Sequence, residues 1–201
     1  NVIILLLLVL AGPASAIDTL QVTTPDPVLE EWRWTAFDRS SGLSGSMIFL
    51  ENFSKLLLFL HLVSAFALVG SLTHDLVLVV QYCRGQFRNK ALERLYVQIA
   101  FGCYLGVFAL GGLIYPTFRV RVRAAYFDAV LPWATGLFEV KEHLAAIGLG
   151  LMIALFVLRM DFDPEAEREK LILYVPLCFL VYLLIWYNIA VGYYLVTLRA
   201  V

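Results

Sequence analysis

Apolar residues along this chain gather in long unbroken runs, not in the alternation of a strand or the single stripe of a surface helix. Four runs, approximately 54–82, 93–115, 136–159 and 171–198, each reach the ~20 residues a helix needs to cross a bilayer core. Short polar connections separate them, so neighbouring helices are expected to be antiparallel, in a compact up-down bundle. Inside lipid every backbone polar group needs a partner within its own segment, which excludes open strands. The predicted class is all-α: an integral membrane four-helix bundle over 53–201, preceded by one further short helix.

That further helix is the apolar opening "NVIILLLLVLAGPASA", residues 1–16, which has the hydrophobic core and the Ala14-Ser15-Ala16 ending of a secretory signal. It reads as an uncleaved signal anchor with its N-terminus in the cytoplasm, a cleaved signal peptide being the alternative. Residues 17–52 are rich in Thr, Pro, Asp, Ser and Gly. They suit an extracytoplasmic loop whose Trp32 and Trp34 rest at the lipid interface, with an amphipathic surface helix around 26–37. On the second long run the glycines at 102, 106, 111 and 112 offer a small-residue face for close helix packing.

Composition supports the membrane reading. Of 201 residues, 61% are hydrophobic and 15% charged, and mean hydropathy is +0.82, whereas a soluble domain is about a quarter charged. A net charge of −1 gives no general attraction to nucleic acid. Cys83, Cys103 and Cys178 lack the C-x-x-C spacing of a redox or zinc motif and read as packing residues. With loop 17–52 outside, Arg84, Arg88 and Lys90 fall on the cytoplasmic side, as the positive-inside rule asks, and the C-terminus is extracytoplasmic. Arg119, Arg121 and Arg123 then lie outside, against the rule. A bacterial inner membrane is the expected location.

Candidate chemistry rests on histidines placed in apolar runs. His61 is the eighth residue of the first run and His143 the eighth of the third, which puts both at matched depth on parallel helices at about 1.5 Å per residue. Two neutral imidazoles so placed could be the axial ligands of one b-type haem. By helical phase His61 shares a face with Ala65, Leu68, Leu72 and Asp75, and His143 with Glu139, Glu142, Ala146 and Gly150. Ionisable stripes belong inside a bundle, so both faces are expected to point inward, with Lys141 pointing away toward the interface. Arg119, Arg121 and Arg123 could bind haem propionates, or equally lipid phosphates. His74 lies ~220° round the helix from His61 and reads with Asp75 as a polar pair making helix–helix hydrogen bonds. Against the haem reading stands a plainer one, in which the histidines only hydrogen-bond carboxylates or carbonyls between helices.

The segment "LHLVSAFALVG", residues 60–70, resembles the opening histidine helix of copper-resistance D type membrane domains and the related cytochrome b561-like bundles. In those families histidines from different helices of a four-helix core can ligate b-type haem. The resemblance implies such a role for His61 alone; His143 enters from depth and phase, and the paired histidines of a dihaem core are missing. The leading expectation is a membrane-embedded, cytochrome-like electron-transfer subunit of a larger respiratory or photosynthetic complex. It would exchange electrons with a periplasmic carrier or quinone and touch other membrane subunits. The alternatives are a cofactor-free scaffolding subunit and a small metal or proton transporter using His61, Glu142 and His143. No nucleophile, metal motif or nucleotide loop marks it as a self-contained enzyme.

Overall fold

A computed structural model describes residues 50–199. The expected signal anchor, Trp32 and Trp34, and the helix around 26–37 lie outside the described residues. Those described are helical throughout, joined by short turns, with no strand among them. A single 3-10 turn, Glu51–Phe53, leads into α1, Ser54–Cys83. Helix α2 is Lys90–Phe118, α3 is Pro132–Asp161 and α4 is Leu171–Leu198. All four are long and apolar enough to cross a membrane. Each coincides with one predicted run to within a few residues at most boundaries.

Local chemistry sets the ends. The sharp turn after α1 is a Schellman closure: Gly85, at φ 74°, donates its N–H to the Tyr82 carbonyl, and Gln86 donates to that of Gln81. Left-handed backbone there suits glycine because a Cβ would meet the carbonyl. Pro132 opens α3, where its missing N–H costs nothing. Across the 162–170 turn, Lys90 pairs with Asp163 at 2.7 Å and with Glu165 at 3.0 Å. Its ammonium holds the Asp163 carboxyl below the usual carboxylate range.

The connection after α2 differs from the sequence expectation. The predicted run stops at residue 115 and a polar connection is expected after it, yet Arg119–Phe127 continues the helix axis as a nine-residue π-helix, ending in one α-turn, Asp128–Val130. Burial explains the wider winding. Thr117, Val122 and Phe127 are all buried and stand five residues apart, a step that turns ~140° in an α-helix and is brought nearer to one face by the wider winding.

The helices form a ring in which α1 packs mainly on α2 and α3 on α4, closed by the α2–α3 and α1–α4 contacts. Gly106 and Gly111 face α1, near Ser64 and His61, whereas Gly102 and Gly112 look outward. The larger core lies toward the Gly85 end and takes residues from all four helices, among them Leu72, Tyr104, Met152 and Val181. The smaller one, at the π-helical end, is built from Val122, Phe127, Ala134, Val191 and Leu195.

Candidate functional site

The deepest polar cluster lies at the Gly85 end, and its centre is Glu93. Residues Glu93, Val97, Ala100 and Tyr104 follow each other at steps of four, three and four, so one face of α2 carries all of them into the interior. Arg159 reaches the same point from α3 by the same logic, below Gly148, Met152 and Leu155. Both side chains are buried, at 0% and 3% exposure for the residues. The Glu93 carboxylate pairs with the Arg159 Nε and accepts hydrogen bonds from the hydroxyls of Tyr82 on α1 and Tyr174 on α4. The other guanidinium nitrogens donate to the carbonyls of Phe162, at 3.1 Å, and Lys90, at 2.8 Å. A buried charge pair is tolerable only when its remaining donors and acceptors are satisfied, and here they are. One turn along α4 from Tyr174, the Cys178 thiol donates to Asp75 of α1 at 3.1 Å. The network therefore binds all four helices at one end.

The first helix meets its predicted phase. His61, Leu68, Leu72 and Asp75 line the interior side of α1; the His61 ring lies against Gly111, where an added Cβ would be 3.5 Å from Cε1. The phase of α3 is a correction. Glu139, His143, Ala146 and Gly150 are exposed on its outer face, and Glu142 is half-buried beside them. The interior face instead holds Ala134, Gly148, Met152, Leu155 and Arg159. Arg159 fixes this rotation. His143 lies sixteen residues before it, ~160° round the helix, whereas Lys141 lies eighteen before it, about five full turns and therefore in phase. Lys141 thus packs inward, its Cε 3.3 Å from where a Cβ on Gly192 would stand.

The structure accordingly does not bring His61 and His143 together. The His143 ring points outward, with Nδ1 2.7 Å from its own helix's Glu139 carbonyl. A porphyrin held inside this bundle by both rings does not fit that arrangement. His74 and Asp75 also part: His74 is exposed, with Nδ1 2.7 Å from the Gly70 carbonyl and its ring stacked on Tyr96, while Asp75 is buried. Of the three arginines, Arg121 pairs with Glu51 at 2.7 Å and Arg123 with Glu139 at 2.6 Å; Arg119 is exposed. Among the described residues no three His, Cys, Asp or Glu side chains gather as a metal site would need.

Compared with known proteins, the chain matches no family model, no curated protein and no solved structure.

Proposed function

We propose that this chain is an integral subunit of a larger membrane assembly, without catalytic chemistry of its own, and that it joins the assembly through the outer face of α3. The observation that carries this is the make-up of that face. His143 stands eleven residues, about 17 Å, into α3 and is exposed, with Glu139 one turn before it. Ionisable groups at such depth are costly toward acyl chains and normally face protein or water. Below them Ala146, Gly150 and Ala154 are exposed at steps of four, a surface that lets a second helix approach to backbone contact. The fitting partner is a transmembrane helix with small residues opposite these and a polar group at the depth of His143.

Particle size in a mild detergent tests it. With the bound detergent subtracted by light scattering, the protein mass of the particle extracted from its own membranes is expected to be several times 22.6 kDa. Gly150→Leu, where an added Cβ meets no other element among the described residues within 4 Å, is expected to release the free subunit. Gly102→Leu, on an exposed part of α2 that is equally open, is expected to leave the large particle intact. A wild-type chain running alone, or a Gly150→Leu particle of unchanged size, would refute the docking face.

Electron transfer is the second reading, favoured by the tautomer that His143 supports. With Nδ1–H donated to the Glu139 carbonyl, Nε2 is the free nitrogen, the usual arrangement of a metal-bound histidine. This chain would then supply one ligand to a b-type haem at the interface, with electrons passing to a quinone or periplasmic carrier. A reduced-minus-oxidised spectrum of the same particle separates the two readings: a b-type α-band lost in His143→Ala supports the haem, and a featureless trace removes it.

A further inference from the structure

One interior carboxyl lacks a counter-charge. Asp75 lies on the inner side of α1, eight residues and ~12 Å from its C-terminal end, and is wholly buried. Its Oδ2 accepts from the Cys178 thiol of α4 at 3.1 Å, and its Oδ1 is buried with no hydrogen-bond partner among the described residues. It forms no ion pair among them: Lys90, Arg121, Arg123, Arg159 and Lys170 each pair with other carboxylates. Glu93 shows what a buried anion in this bundle requires, namely Arg159 and two tyrosine hydroxyls. A thiol is a weak donor, and one such bond does not replace the hydration that a carboxylate gives up.

The titratable and charged groups of this part of the interior are Cys178 and Tyr174 from α4, Glu93 from α2, Arg159 from α3 and Tyr82 from α1 itself. The single positive charge among them is already matched by Glu93, so an ionised Asp75 would stand uncompensated. A metal ion would need more ligands, and among the described residues no three His, Cys, Asp or Glu side chains gather to supply them. The smallest counter-charge is a proton.

The surroundings give that proton one way out. From Asp75 toward the π-helical end the interior is apolar, with Leu68 and Leu72 of α1, Met152 of α3 and Val181 and Ile185 of α4 buried there. Toward the Gly85 end it is polar. One turn along α4, the Tyr174 hydroxyl donates to Glu93, which pairs with Arg159, whose guanidinium reaches the Lys90 and Phe162 carbonyls at the helix ends.

We propose that Asp75 is a proton-binding site, a neutral carboxylic acid in the closed bundle whose proton exchanges with water through the Gly85 end. The acid gives its proton to a water molecule, and the carboxylate takes one back from hydronium, so the site passes between neutral and anionic forms with no other reactant. Opening of the Glu93–Arg159 clamp admits that water. The subunit thereby carries a group that reads proton activity on one side of the membrane, whether or not α3 docks on a partner.

Infrared difference spectra of the full chain in lipid vesicles at neutral pH test this. Wild type minus Asp75→Asn is expected to show the carbonyl stretch of a protonated carboxyl, above the amide bands and moving to lower frequency in D2O. Cys178→Ala, which removes the donor to Oδ2, is expected to shift that band and to abolish one thiol stretch; it carries the comparison if Asp75→Asn fails to fold. Transferred into D2O, the wild-type band should shift slowly. Tyr174→Phe, which loosens the clamp, should speed that exchange about fivefold or more. Thr197→Ala, at the far end of α4, should leave the rate unchanged. A carboxylate band lost in Asp75→Asn in place of the acid band, or an acid band that Cys178→Ala leaves unmoved, would overturn the site. Equal exchange rates in the wild type and Tyr174→Phe would overturn the route.

Discussion

Replacing Glu93 with alanine is expected to destabilise the bundle by about 3–5 kcal/mol, enough to deplete folded protein, because it strands a buried guanidinium. Arg159 would keep its bonds to the carbonyls of Phe162 and Lys90 but lose its counter-ion, and the hydroxyls of Tyr82 and Tyr174 would lose their shared acceptor. The paired variant Glu93→Leu with Arg159→Leu should be far milder than Glu93→Leu or Arg159→Leu alone. Removing both charges also removes the cost of burying them, and apolar side chains of similar volume can fill the space. Denaturant titration in detergent micelles, followed by helicity, measures all four corners of the cycle. Additive losses would mean that the two charges do not act on each other; a strongly compensating double variant is the expected result. Tyr174→Phe should lie between, at about 1–3 kcal/mol, since Glu93 keeps its other donors.

Gly148→Ala is the second large effect expected, and the contact responsible is a single one. A Cβ at that position would stand 2.5 Å from the Tyr104 hydroxyl, which donates to the Ala145 carbonyl at 2.9 Å. Tyr104 is buried, so its ring has little freedom to retreat. Overpacking of this kind costs about 1–3 kcal/mol. The check is again a cycle. Tyr104→Phe alone should cost about 1 kcal/mol for its hydrogen bond, but together with Gly148→Ala it should restore most of the loss, because the clashing oxygen is gone. A melting temperature that falls equally with and without the tyrosine oxygen would show that the glycine serves something other than this contact.

The four helices were legible because length and apolarity alone identify a segment able to cross a bilayer. Rotation of each helix about its axis was legible only on α1, where Asp75 and His61 sit in one stripe with buried leucines. On α3 the same rule, that ionisable groups turn inward, points to Glu139, Glu142 and His143, of which Glu139 and His143 are exposed and Glu142 half-buried. The deciding charge was Arg159, which fell on the last residue of the predicted run, as Glu93 fell on the first of another. A charge at the edge of an apolar run looks like the start of a loop. Its true placement is written in spacing: Glu93 continues backward from Val97, Ala100 and Tyr104, and Arg159 forward from Gly148, Met152 and Leu155. The π-helix was hidden for a different reason. Alternating arginine and valine fits no α-helical face, and only the five-residue spacing of Thr117, Val122 and Phe127 betrays the wider winding.

Fastening all four helices together at one end, while among the described residues the first half of α1 buries no side chain at the other, gives the bundle unequal stiffness along its axis. Backbone amides of residues 54–67 are expected to exchange their hydrogens before those beside Glu93 and Arg159, which open only when the whole network parts. A tuning fork bends at its prongs and not at its stem.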